Sequence, residues 1–390
     1  MAVENGIVTA FAVLYLPLIR EFGASRADVA VVQSAVLLVG GLGGPLIGWA
    51  FDRLGPRRLF QLGAIIAAIA FVAASRLTSL LGLVFVYGLV GGLGLAALSS
   101  NANMIVAALW YPGARGRAIA VADVGTGAGA FAMVPLAQAL VTTLGWRATL
   151  LVWAALLLGL VVPLNALQRL PDPTHATASA MPSSRDAWTF RDAMRSTAFW
   201  WLAGQRFFGA CAFPVMNVHM VAFAIGQGVA PAAAATALGA VSLVSLAGRL
   251  GTGWLSDRLG RAETLTITYT SAAIGIGCLA MLAWHGAPWW LVLYIGFYGL
   301  AQGSTGIVGS ARAADVFAGP TFGAIYGWLV LAAGPGEALG AWLGGRIFDA
   351  TASYLPAFAF AVAALAGGVF SMWRVRPARR GAYDSGVDVR

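Results

Sequence analysis

Residues 242–261 read SLVSLAGRLGTGWLSDRLGR. The first half is an apolar, membrane-like stretch that carries one arginine, Arg249. The second half, from Gly253, is a tight basic turn. An earlier copy of that turn, GWAFDRLGPRR, begins at Gly48. Gly48 and Asp52 share the spacing of Gly253 and Asp257, and in both copies Arg, Leu and Gly follow the aspartate. The chain therefore reads as two related halves, the second holding a charge inside a span.

Composition sets the class. Of 390 residues, 59% are hydrophobic and only 10% charged, with a mean hydropathy of +0.81. A water-soluble core of this size needs more polar material to coat it. Apolar runs of the ~18 or more residues a spanning helix requires recur along the whole length, and twelve of them fit. All 24 basic residues are arginine, so no Schiff-base lysine exists. The net charge of +9 lies between the runs, which points to membrane topology rather than to nucleic acid. Cys211 and Cys278 both fall inside apolar runs, so neither a disulfide framework nor a metal cluster is indicated.

The runs are placed near 1–19, 29–51, 59–75, 79–109, 118–144, 148–167, 197–224, 232–256, 264–284, 288–311, 321–345 and 354–373. Arg20 to Asp28 reads as an outer loop. The first run starts at Met1, contains Glu4 and has no basic leader, which predicts that upstream codons encode more of it. The long polar segment 168–196 reads as a linker ending in a short surface helix, DAWTFRDAMR. The expected organisation is a six-helix bundle over 1–167, the linker, a second bundle over 197–374 and a tail over 375–390. With the N-terminus inside, seventeen arginines fall on the inner side and five outside, leaving Arg206 and Arg249 within spans. That bias places both termini in the cytoplasm of a multi-pass inner-membrane protein.

Two six-span halves, a central inner loop and a G-x-x-x-D-R-x-G turn after spans two and eight resemble the major facilitator superfamily. The resemblance implies a rocker-switch transporter with a midplane site between its halves. A narrower likeness is also present. WYPGARGRAIAVADVGTGAG, LGWRATLLVWAALL, EFGASRADVAVVQSA and GGRIFDATASY are similar to segments of monocarboxylate transporters and oxalate–formate antiporters. Arg249 matches the span-eight arginine with which that family holds a substrate carboxylate. There are departures. Ser245 stands where animal members carry an aspartate, Thr9 at their span-one lysine, and Ala333 near the second cation of oxalate carriers. A two-cation dicarboxylate site is therefore not expected.

Ser242, Ser245, Arg249, Thr252 and Ser256 recur at spacings of three and four, so they share one helix face, suited to lining a cavity. A guanidinium meets a carboxylate with two parallel hydrogen bonds. The competing reading is a structural arginine satisfied by carbonyls. Asp123 is about 9 Å of rise past Arg117; the family places span five beside span eight, so it reads as a partner of Arg249 or a proton carrier, or else as a helix-start acid. Glu337 in span eleven reads as a proton carrier or a structural hydrogen bond to span two, and His219 as a pH-sensing gate or a core histidine. Arg206 is expected to snorkel to the inner surface, the alternative being contact with substrate. Tyr294, Tyr298, Gln302 and Thr305 fall on one face of span ten, and Asn101 and Asn103 lie in span four; these could contact a small ligand or serve packing. Asp52, Arg53, Arg57, Asp257, Arg258 and Arg261 read as state-switching turn residues, with Gly55 and Gly260 supplying unusual backbone angles.

HExxH, GxSxG and GxxxxGK[ST] are all missing, so neither an enzyme nor an ATP-driven pump is expected. The expected protein is an all-α, twelve-helix, monomeric secondary transporter without cofactor or metal. Its predicted substrate is a small organic anion, foremost a monocarboxylate with proton symport. Anion exchange, export of a small amphipathic compound and a non-transporting membrane sensor remain alternatives.

Overall fold

The computed structural model describes residues 1–100, 103, 106, 110, 115–168, 188–317 and 321–375; the side chains of 115–120 and of Asp123 lie outside the described residues. Among the described residues all regular structure is helical. Span one is Ala2–Phe22. Span two begins at Arg26–Leu42 and continues past Gly43 into Gly44–Ala74, which turns back at Gly55 to become span three. Span four comprises Leu80–Leu83, a π-helical stretch Val84–Gly91 and Gly92–Ala97. Arg115–Leu156 carries spans five and six around a turn at Gly145, and span six runs on to Ala166. A short helix, Phe190–Arg195, precedes span seven, Thr197–Gly226. Span eight is Pro231–Leu259; span nine is Arg261–Ala280 plus Leu282–His285. Span ten is broken into Trp289–Ala301 and Ser304–Phe317, and span eleven into Phe322–Leu331 and Ala333–Thr351. Span twelve is Leu355–Arg374.

Nine of the described segments are individually long and apolar enough to cross a membrane. One of them, Val124–Ala166, holds two crossings because Gly145 reverses it. Spans two and eleven, each interrupted, complete the twelve. The predicted outer loop over 20–28 is shorter than expected. Span one stays helical to Phe22, and Ser25 starts the next helix with a capping box, its hydroxyl accepting from Asp28 N at 3.1 Å.

The reversals share one backbone solution. Gly55, Gly145 and Gly260 have φ/ψ of 72/164°, 81/166° and 106/163°, a region essentially closed to side-chain-bearing residues. The chain can thus turn from one antiparallel span to the next within a residue or two. Packing then follows size. Within the first half span one lies on span five; the halves meet where span two lies on span eleven, span five on span eight and span one on span seven. Where backbones approach, a glycine removes the obstacle, as membrane helix pairs require. A Cβ built on Gly41 falls 2.3 Å from Gly334 Cα, and one on Gly94 falls 2.6 Å from Ala67 N and Gly63 O. Aromatic rings fill the first-half core, Phe71 stacking on Tyr87 at 5.2 Å and meeting Trp153 edge-on at 6.0 Å.

Gly94 tests this packing. Replacing it by valine drives a branched side chain into the span-three backbone. It should cost about 1–3 kcal/mol and lower the melting temperature of the purified protein. Unchanged melting would mean that spans three and four are not in that contact.

Candidate functional site

The two ends of the bundle differ. At the end bearing Tyr354 the halves are locked together. Asp349, near the end of span eleven, accepts from the first free amides of span two: Arg26 N at 3.0 Å and Ala27 N at 2.8 Å. One half thus caps a helix of the other. The Arg26 guanidinium lies 3.7 Å from the Phe348 ring centroid and donates to Tyr354 OH. Tyr15 of span one donates to Arg26 O at 2.7 Å. Gly345 admits the Arg26 backbone, since a Cβ there would sit 2.7 Å from it. Ser34 adds a bond to Ala338 O at 2.8 Å.

At mid-depth the seam holds Arg249. Its Nη1 is 3.5 Å from Thr126 Oγ1 of span five. Its Nε would lie 2.7 Å from a Cβ on Gly303, at the break in span ten. Gly303 has φ +94°, so the backbone bends aside and leaves no side chain to displace the arginine. Gln302, next to the break, donates through Nε2 to Asn217 Oδ1 of span seven at 3.0 Å. Asn5 of span one, beside Glu4, donates to Thr126 O at 2.9 Å. Spans five, eight and ten therefore meet at one half-buried arginine, and spans one and seven are bonded to its neighbours.

Other predicted site residues lie elsewhere. Ser245 is buried and its hydroxyl turns back to Ser242 O at 2.7 Å, so the span-eight seam above Arg249 is packing rather than cavity wall. Tyr294 and Tyr298 are fully buried and stacked at 5.0 Å, with Tyr298 OH donating to Phe213 O at 3.2 Å. Tyr298 thus reaches span seven, its ring 5.6 Å from that of Phe213. The expected common face with Thr305 fails because the helix breaks at 302–303; Thr305 bonds Tyr269 instead, at 2.7 Å. Asn103 donates to Leu98 O and Ser99 O of its own span. Asn101 and the Asp123 side chain lie outside the described residues. His219 is wholly buried, edge-on to Tyr15 at 5.1 Å, with Nε2 2.8 Å from Ala341 O; it is a core histidine beneath the lock.

Arg206 does not snorkel. It is 8% exposed and donates to Tyr326 OH of span eleven at 2.6 Å and, at 3.5 Å, to Thr305 O. Glu337 lies in span eleven and makes no ion pair among the described residues.

At the opposite end lie the duplicated turns. Arg261 pairs with Asp257 at 2.6 Å and with Asp315 of span ten at 3.0 Å, and donates to Ser256 at 2.9 Å. Hydrogen bonds to Asp315 and then Asp257 hold its guanidinium above the usual arginine range. Arg258 stacks on Trp254 at 4.2 Å, as Arg53 does on Trp49 at 4.7 Å. In the first copy, Asp52, Arg53 and Arg57 are exposed and make no ion pair among the described residues. Gly48 and Gly253 face open space. A cavity of about 420 Å³ opens here, lined in part by Ser256, Asp257, Arg261, Ser310 and Tyr326.

Sequence reading missed Asn217, Gly303, Asp315 and Asp349. Only the Gln-Gly-Ser run at 302–304 carried a local signal, a helix-breaking glycine. Among the described residues no group of His, Cys, Asp and Glu could hold a metal ion.

The sequence profile described as Major Facilitator Superfamily matches residues 3–305. Monocarboxylate transporter 13 of Rattus norvegicus is 29% identical over 373 residues, covering 94% of this chain and 84% of that protein. Uncharacterized MFS-type transporter YcxA of Bacillus subtilis (strain 168) is 25% identical, covering 90% and 86%. Among solved structures, a point mutant of the nucleoside transporter NupG superposes with a TM-score of 0.75 at 14% identity, covering 96% and 97%. A bacterial homolog of the human lysosomal transporter Spinster, inward-facing and unoccupied, gives 0.68 at 18%, covering 95% and 90%. At such identities these two speak to the fold alone.

The cap at Asp349 yields a prediction. Asp349→Asn removes the charge that holds two span-two amides, worth about 1–2 kcal/mol. In a background without Cys211 and Cys278, a Ser34→Cys reporter should then react roughly tenfold faster with an impermeant maleimide. Equal rates would show that the cap does not hold this end shut.

Proposed function

The chain belongs to the Major Facilitator Superfamily, and on that premise we propose that it carries a small monocarboxylate across the membrane, coupled to protons. The observation that carries this reading is Arg249, held at mid-depth where spans five, eight and ten meet. A guanidinium there is costly unless an anion or a polar cavity offsets the loss of water. Its planar fork matches a carboxylate, and the Asn217–Gln302 pair beside it offers further donors and acceptors. The relatives named as monocarboxylate transporters support the same substrate class.

Along span eight, about 12 Å of helix rise parts Arg249 from Asp257. The arginine bias assigns the Asp257 end, both termini and the 168–196 linker to the cytoplasm of an inner-membrane protein. The state described is then inward-open: locked at Tyr354, with its cavity at Asp257. Substrate binding favours closure of the Asp257 end and release of the Asp349 cap. Asp123 and Glu337 are the proton carriers of this scheme. Asp123 neutralises Arg249 in the empty carrier, and Glu337 sits in the span that moves against span two.

Proteoliposome uptake of radiolabelled carboxylates tests the reading. Arg249→Ala should abolish uptake. Arg249→Lys should lose at least about tenfold, the worth of the two-pronged contact. Asp123→Asn should lower the melting temperature of the empty protein, with carboxylate restoring it. Glu337→Gln should keep exchange but lose the response to an imposed proton gradient. Wild-type uptake by Arg249→Ala ends the substrate role; uptake indifferent to the gradient in the wild type makes the protein an exchanger.

A further inference from the structure

Arg206 is the cation that this scheme leaves unused. It is 8% exposed within span seven, yet among the described residues no carboxylate pairs with it. Its partners are neutral: the Tyr326 hydroxyl at 2.6 Å and, more distantly, the Thr305 carbonyl. A buried guanidinium without a counter-ion is among the more expensive arrangements in a membrane protein. Glu337 of span eleven lies beyond ion-pairing distance of it.

Arg206 lies behind Tyr326, one residue removed from the cavity wall. Span ten presents glycines to the guanidinium. A Cβ on Gly306 would meet only Nη1, at 3.6 Å, whereas one on Gly309 would lie 2.8 Å from Gln205 Oε1 and 3.4 Å from Arg206 Cδ. Tyr326, which holds Arg206, also lines the cavity of about 420 Å³ at the Asp257 end. Along span ten, Gly303 marks Arg249 and Gly309 marks Arg206, six residues or about 9 Å apart. Arg206 therefore stands between the open mouth and the Arg249 site.

We propose that Arg206 and Tyr326 form a second carboxylate-binding station on the path between the Asp257-end cavity and Arg249. An arriving carboxylate takes the Tyr326 hydroxyl and the guanidinium as donors, supplying the charge the site lacks. The station serves either a monocarboxylate in transit or the second carboxylate of a dianion whose first is on Arg249. It depends on the reading of Arg249 only for its place on the path.

The test is thermal melting of the full chain in nanodiscs against acetate, pyruvate and malonate. Arg206→Gln should raise the half-maximal stabilising concentration about tenfold, the size of one lost charge-assisted contact. Tyr326→Phe, which removes only a hydroxyl, should move it less and in the same direction. Arg206→Lys, which keeps the charge, should stay within about threefold of wild type. An effect on all three acids identifies a monocarboxylate in transit; an effect on malonate alone identifies the far carboxylate of a dianion. Half-maximal concentrations unchanged in Arg206→Gln, whether or not the protein itself melts lower, mark a structural arginine and overturn the proposal. Arg249→Ala, run in parallel, should lose the part of the response carried by the first site and keep a weaker one that Arg206→Gln then removes, so failure of the first site is read separately.

Discussion

A positive charge at mid-depth in an apolar bundle is the constraint around which the rest is arranged. Arg249 cannot be left to hydrocarbon, because the interior offers no water to solvate it. The fold answers by shaping its neighbours. Span ten breaks at Gln302–Gly303, and the missing Cβ at Gly303 leaves space for the guanidinium. Thr126 comes from the other half, so the arginine sits on the seam between the halves. The serines one and two turns away bond their own helix and leave the charge as the polar focus of span eight.

The second organising feature is that the halves are held at one end by directional bonds and along their length by bare backbone contact. Asp349 closing the amides of span two is a helix cap supplied in trans. Caps are worth only a kcal/mol or two, about tenfold in an equilibrium. Glycine contacts such as Gly41 on Gly334 give close packing without hydrogen bonds of their own. A lock of that size is strong enough to define a state and weak enough to be released by a ligand that prefers another.

The duplicated turns share a backbone but not an electrostatic state. Gly55 and Gly260 take the same rare conformation, and Arg53 and Arg258 stack alike on tryptophan. Arg261 is tied to two aspartates within its own half, whereas its counterpart in the first copy is Pro56. The second turn is therefore anchored to span ten, the span that carries Gly303. The Asp257 end and the surroundings of Arg249 are thus joined through one broken helix.

Much of this was legible in the sequence. The number of crossings, the sidedness bias, the paired turns and the arginine inside span eight are properties of local composition and spacing. Hydropathy acts residue by residue along a helix, so it survives any choice of neighbours. What only the tertiary structure decided is which way each polar group faces. Ser245, Tyr294 and Tyr298 had the spacing of a cavity lining yet are buried, Ser245 bonding its own helix and Tyr298 reaching the Phe213 carbonyl of span seven. Arg206 had the spacing to reach the surface but is caught by Tyr326, 120 residues away. Asn217 meeting Gln302, and Asp349 capping Arg26, join residues 85 and 323 positions apart. A helix shows its sequence on every face; only the helices packed against it determine which face is a wall, which is a seam and which is a site.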